Sequence, residues 1–219
     1  MRAAEVRSPA AGAVIVLLAV VASPPARVDE RVDVTAMDGV QLIGELAGTS
    51  GPGVVLVHGA RADRTRWAAA ARTLVERGYR TLRIDLRGHG ESGGAVDLAA
   101  ADRDVEGAYR YLLGRKIRPV FLVGDGAGGG AVLVVASRVP AAAVATLGRQ
   151  PASDGPEARA AATSLRVPTL FLVPEADQDT KTLAATVPGS RVVVVPEADA
   201  MGSARTVPAL LELLGSNAR

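Results

Sequence analysis

Short apolar runs alternating with stretches of helical periodicity constrain this chain more than any other feature. Val54-Val55-Leu56-Val57 and Val120-Phe121-Leu122-Val123 contain no polar residue. A strand without polar alternation has no face to offer to water, so both of its faces must be covered. Between these runs, Trp67, Ala70, Ala71, Leu74 and Val75 recur at helical spacing, and Gly78 closes that helix. Val105, Ala108, Tyr109 and Leu112 mark a second amphipathic helix, and Thr81 to Ile84 a strand between the two. Further strands are expected over Ala142 to Leu147, Thr169 to Val173 and Arg191 to Val195, and helices over 127–138, 180–186 and 204–214. Near the start, Val32 to Thr35 and Gln41 to Ile43 flank Asp38-Gly39, a two-residue hairpin signal. Repeated strand–helix units with short connections predict an α/β fold, a mostly parallel doubly wound sheet with helices on both faces. Chemistry in such a sheet belongs at the carboxyl ends of the strands.

The 219 residues suffice for one well-buried domain. Only 3% are aromatic against 48% hydrophobic, so the core must be built from Val, Leu and Ala. The absence of Cys excludes disulfides, thiol catalysis and thiolate metal sites; no cofactor or metal is called for. Positive charge is scattered and aromatics for base stacking are few, which argues against nucleic acid as a partner. Residues 1–26 read as a targeting segment. Arg2 and Arg7 precede an apolar run over residues 10–22, and Ser23-Pro24-Pro25 ends it. The run is shorter than the roughly 20 residues of a comfortable membrane span. It is expected to be either a cleaved signal peptide or an N-terminal membrane anchor, giving an exported protein whose folded domain spans 27–219.

Phe121 to Gly129 has the shape of a nucleophile elbow: a buried strand, a G-x-Nu-x-G turn and small residues opening a helix. With Gly124 and Gly128 as the framing glycines, the nucleophile position is Gly126. The turn is present and the reacting atom is not. Asp125 is the other candidate, but that register would put Val123 and Ala127 where close packing wants glycine. A left-handed or otherwise strained turn costs an ordinary residue about 1–3 kcal/mol, and glycine avoids the side-chain clash.

The order of motifs resembles the α/β-hydrolase superfamily over roughly residues 30–215. Val57-His58-Gly59 is similar to that family's oxyanion-loop motif, and Asp85-Leu86-Arg87-Gly88-His89-Gly90-Glu91-Ser92 to its D-x-R-G-H-G-x-S motif. About 20 residues separate the strand ending near 147 from that at 169, so the resemblance is to a cap-less form of dienelactone-hydrolase size. It implies backbone oxyanion donors at Ala60 and Ala127, with His58, Gly59 and Asp125 around the pocket. It also implies a triad acid at Asp177, in Pro174-Glu175-Ala176-Asp177, where Pro174 replaces the family's usual Gly. A loop-capping carboxylate is the other reading of Asp177. The catalytic His of the family falls at Ala200. The chain's two His, at 58 and 89, lie in loops after earlier strands, where the resemblance makes them structural.

A hydroxyl nucleophile needs a base within hydrogen-bond reach, and that base needs an orienting carboxylate. Of the three, only Asp177 remains. The first expectation is therefore a degenerate α/β-hydrolase-fold protein, inactive as a serine hydrolase, that binds a small ligand or a protein partner. The alternative is an active hydrolase of carboxylic esters or related acyl compounds that works through Asp125, Asp177 or Asp199. A structural role at the cell envelope is a third.

Overall fold

The structure, a computed structural model, describes residues 29–148, 155–196 and 205–218. Strands β1 (Glu30–Thr35) and β2 (Gln41–Ala47) form the expected hairpin, but residues 36–40 join them rather than a two-residue turn. Then follow β3 (Gly53–Val57), α1 (Ala68–Glu76), β4 (Arg80–Ile84), α2 (Ala101–Gly114), β5 (Val120–Asp125) and α3 (Ala127–Ala136). The chain continues through β6 (Val144–Leu147), α4 (Gly155–Ser164), β7 (Thr169–Pro174), α5 (Gln178–Thr186), β8 (Arg191–Val195) and α6 (Thr206–Ser216). The eight strands form one sheet in the order β1-β2-β4-β3-β5-β6-β7-β8. β2 pairs antiparallel with both β1 and β4, and every pairing from β4 to β8 is parallel.

Burial explains the apolar runs. Every residue of β3 and β7, and the first five of β5, are buried, whereas edge strand β8 is largely exposed. One core layer packs the sheet against α2, α3 and α5, and the other against α1 and α6. Helix α3 is buried at every position from Gly128 to Ala136, as expected of a helix apolar all round. Few aromatics serve this core, yet Trp67, Phe121 and Phe171 are its largest fully buried side chains.

Two expectations need correction. No element was anticipated between 148 and 168, yet α4 lies there and buries Ala158, Ala161 and Ala162. Its face is made of alanines, too weakly apolar to stand out as a periodic stripe. Helix α6 covers 206–216 rather than 204–214, an ordinary difference at helix ends. Residues 1–26 lie outside the described residues, and among those described no helix is long and apolar enough to cross a membrane.

Because β3 to β8 run parallel, their following loops gather at one edge of the sheet. The strand ends step across one another there. Gly126 N–H donates to Leu147 O at 2.9 Å and Gly148 N–H to Leu172 O at 3.1 Å.

Candidate active site

Gly126 forms the apex between β5 and α3, with φ 50° and ψ −119°. This is the left-handed half of backbone space, where a side chain is strained. The framing glycines are fixed by close approach. A Cβ on Gly124 would lie 2.3 Å from Gly128 O, and one on Gly128 2.5 Å from His58 O. The register that puts Gly126 at the apex is therefore the built one, and Asp125 is the last residue of β5.

The loop after β3 lies against this turn. An ideal Cβ on Gly59 would be 3.3 Å from Asp125 O and 3.8 Å from Gly126 Cα. Ala60 follows in that loop, and Ala127 opens α3 one residue beyond the apex. Neither N–H donates a hydrogen bond among the described residues. A helix N-terminus with open N–H groups favours an oxygen bearing negative charge.

Both imidazoles are committed to holding loops. His58 is fully enclosed. Its Nε2 accepts from Leu86 N–H at 3.0 Å, so Nδ1 carries the proton and donates to Gly59 O at 2.8 Å. Burial holds the His58 pKa below its ordinary value. His89 places Nδ1 2.9 Å from Arg87 O and Nε2 3.0 Å from Ala60 O. The two rings lie 5.1 Å apart. His89 thus bridges its own turn and the loop that carries Ala60.

The rest of the octapeptide is structural in the same way. Asp85 accepts from the N–H of Arg64 at 2.7 Å and of Glu91 at 3.0 Å, and also pairs with the Arg64 guanidinium. Ser92 donates to Asp85 O at 2.7 Å and accepts from Ile43 N–H at 2.8 Å. Arg87 grips Asp104 of α2 at 2.7 Å and Asp38 of the β1–β2 turn at 2.8 and 2.9 Å. The Arg87 guanidinium holds the Asp38 carboxyl well below the usual carboxylate range.

Asp177 sits just past β7, where the sequence resemblance puts a triad acid. Its carboxylate caps α5, accepting from Thr180 N–H at 3.0 Å and Thr180 Oγ1 at 2.8 Å. It is 4% exposed, and each oxygen already has a donor. Asp125 accepts from Arg66 Nε at 3.0 Å, and its Oδ1 lies 3.0 Å from where a Cβ on Gly148 would stand. Ala200 and Asp199 lie outside the described residues. Arg66 was not foreseen, since nothing in Arg61-Ala62-Asp63-Arg64-Thr65-Arg66 separates it from its neighbours. Among the described residues no three His, Asp or Glu side chains are gathered so as to hold a metal ion.

Comparison with known proteins places this geometry. A family model described as serine aminopeptidase, S33, matches residues 51–156. No curated protein matches the chain by sequence. Among solved structures, an esterase from Pyrococcus furiosus superposes with a TM-score of 0.76 at 15% identity, over 87% of this chain and 93% of its own. A dienelactone hydrolase from Anabaena variabilis gives 0.72 at 23% identity, over 88% and 99%. A thermophilic esterase from Thermogutta terrifontis gives 0.69 at 22% identity, over 87% and 100%.

Proposed function

We propose that this chain, which has the α/β-hydrolase fold, is a member of the α/β-hydrolase superfamily that has given up serine-hydrolase catalysis and binds a small ligand at the retained elbow. The observation that carries this reading is Gly126. The apex has the backbone geometry of a nucleophile turn, φ 50° and ψ −119°, and no side chain to react. Both His are occupied by backbone groups, and Asp177 spends both oxygens on capping α5. The open N–H groups of Ala60 and Ala127 suit a carbonyl or carboxylate oxygen. A protein partner at this edge of the sheet is a second form of the same proposal. The basic and apolar segment 1–26 supports export, with the segment either cleaved or kept as an anchor; cell fractionation distinguishes the two.

The competing reading is an esterase-like hydrolase working through Asp125. Against it stands the Arg66–Asp125 ion pair, 3.0 Å long at a carboxylate only 15% exposed. An oxyanion site by itself leaves residual catalysis of about 10³–10⁴-fold over water. The deciding experiment treats the purified protein with a fluorophosphonate probe and with short-chain esters. No covalent labelling is expected, and ester hydrolysis no higher than that residual level. Strong turnover that disappears in Asp125→Asn overturns the proposal. Restoring Gly126→Ser together with Ala200→His should then raise ester hydrolysis above the parent protein.

A further inference from the structure

The turns at the amino ends of the central strands form one surface. Strands β3, β4 and β5 begin level with one another, with Gly53 opposite both Arg80 and Val120. Gly53 N–H donates to Pro119 O at 2.9 Å, and Arg80 N–H to Pro52 O at 2.8 Å. Gly51 lies so close to Gly78 O that a Cβ on it would clash with that carbonyl. The turns over residues 48–52, 77–79 and 115–119 therefore make a continuous edge, at the end of the sheet away from the elbow.

Arg77, Arg80, Lys116 and Arg118 stand on this edge, and all but Arg80 are exposed. They are scattered in sequence, and the fold gathers them. Arg80 Nε donates to a carbonyl, Gly51 O at 3.0 Å, and none of the four has a carboxylate partner among the described residues. Glu30 is taken by Arg115 at 3.1 Å, which leaves Glu76, the last residue of α1, as the carboxylate set against these four cations. Helix dipoles favour cations at the ends of α1 and α2, but Arg80 and Arg118 belong to neither helix. Lys116 stands where the backbone favours glycine. At φ 59° it is the one residue other than glycine with a positive φ among those described, and Gly78 fills the matching position after α1 at φ 86°.

The same edge receives the chain from residues 1–28. Strand β1 begins there at Glu30, and the Arg115–Glu30 pair holds that start beside Lys116. Upstream lie Arg2, Arg7 and the apolar run over residues 10–22. A single short apolar attachment is marginal, and a basic surface next to it supplies the second attraction that a stable one needs. We propose that the amino edge of the sheet docks on the anionic head groups of a membrane surface. Arg77, Arg80, Lys116 and Arg118 face the lipid, and the elbow is turned away from it. The proposal rests on reading residues 1–26 as a segment that meets a membrane, and it is independent of what the elbow binds.

The full chain is floated with vesicles of phosphatidylcholine alone and of phosphatidylcholine and phosphatidylserine in equal parts. Binding to the neutral vesicles reports the apolar segment, and the gain with phosphatidylserine reports the basic edge. Three net charges, at about five-fold each, give an expected gain of about a hundred-fold. It should vanish as salt rises from about 0.1 to 1 M, where the screening length falls from roughly 10 to 3 Å. Arg77→Gln and Arg118→Gln should each reduce the gain about five-fold. Arg61→Gln, which removes the same charge in the loop beside the elbow, should leave it unchanged. Lys116→Gly should weaken binding as Arg118→Gln does while raising the urea midpoint, so that its loss is not a loss of fold. The proposal is overturned by no gain with phosphatidylserine, by an equal loss in Arg61→Gln, or by the parent's gain persisting in Lys116→Gly and Arg118→Gln. Equal affinity for a short DNA duplex also overturns it, because the edge would then be a surface for any polyanion.

Discussion

His89 Nε2 lies 3.0 Å from the carbonyl oxygen of Ala60. The loop after β4 therefore holds the peptide beside one of the two open N–H groups at the elbow. His58 braces the same loop from within, through Gly59 O and Leu86 N–H. Neither ring has a nitrogen left over to serve as a base at Gly126, so both belong to the framework of the site.

His89→Ala removes a ring that faces two carbonyl oxygens with one N–H to donate, and should cost about 1 kcal/mol of stability, the worth of one hydrogen bond. Hydrogen exchange should quicken at Ala62, whose N–H donates to Gly59 O at 3.2 Å. Urea unfolding and exchange mass spectrometry measure both effects. Unchanged protection in this loop would show that His89 does not hold it.

His58 makes stability depend on pH. Burial lowers its pKa in the folded state, so in mildly acid solution the unfolded chain binds a proton that the folded chain refuses. The stability it supports is complete above the ordinary His value of about 6.5 and declines as pH falls below it. His58→Gln keeps one donor and one acceptor without titrating. Its unfolding free energy should be flatter than that of the parent between about pH 6.5 and 5, by denaturant titration at each pH. An identical slope in both proteins would sink the assignment.

Much of this was legible in the sequence, and the failures have physical causes. Val54 to Val57 and Val120 to Val123 announced central strands because nothing polar interrupts them, and β3 and β5 occupy those places. The elbow register was read from the spacing of Gly124, Gly126 and Gly128; in the structure Gly126 has φ 50°, and a Cβ on Gly124 or Gly128 would meet backbone. Helix α4 was invisible because alanine gives too weak a periodic signal. The Arg66–Asp125 pair spans 59 residues, and no local pattern reports a contact of that separation. Nor does sequence reveal that Asp177 spends both oxygens on Thr180, since an acid and a cap are the same residue type after the same strand.

Asp177 separates those two roles by experiment. As the cap of α5, it should cost about 1 kcal/mol on change to Ala, and much less on change to Asn, which also caps helices well. Urea denaturation of the two variants gives the comparison. Equal losses for Asn and Ala would argue that the charge, rather than the cap, is what the site requires.

Arg87 joins three elements through Asp104 and Asp38, and two of the three side chains are nearly enclosed. Arg87→Met leaves the Asp104 carboxylate buried without its cation, which typically costs about 3–5 kcal/mol. The double variant Arg87→Met with Asp104→Leu should recover part of that loss, because no buried charge is then left alone. A double variant as unstable as the sum of its singles would refute the coupling.

The glycines of the elbow offer the sharpest test, because each is required for a different reason. At Gly126 the cause is backbone conformation alone. A side chain at φ 50° should cost about 1–3 kcal/mol, so Gly126→Ala lowers stability by that amount. Gly126→Ser bears the same strain, and the variant that restores Ser and His should be less stable than its parent even if it gains activity. At Gly124 the cause is contact. A Cβ there would stand 2.3 Å from Gly128 O and 2.4 Å from its carbonyl carbon, and two backbones cannot yield as a flexible side chain can. Gly124→Ala should therefore be the more damaging of the two, moving α3 away from β5 or preventing folding. Urea midpoints for the pair give the order. If Gly126→Ala proved the worse, the apex would lie elsewhere and Asp125 would return as the residue at the nucleophile position.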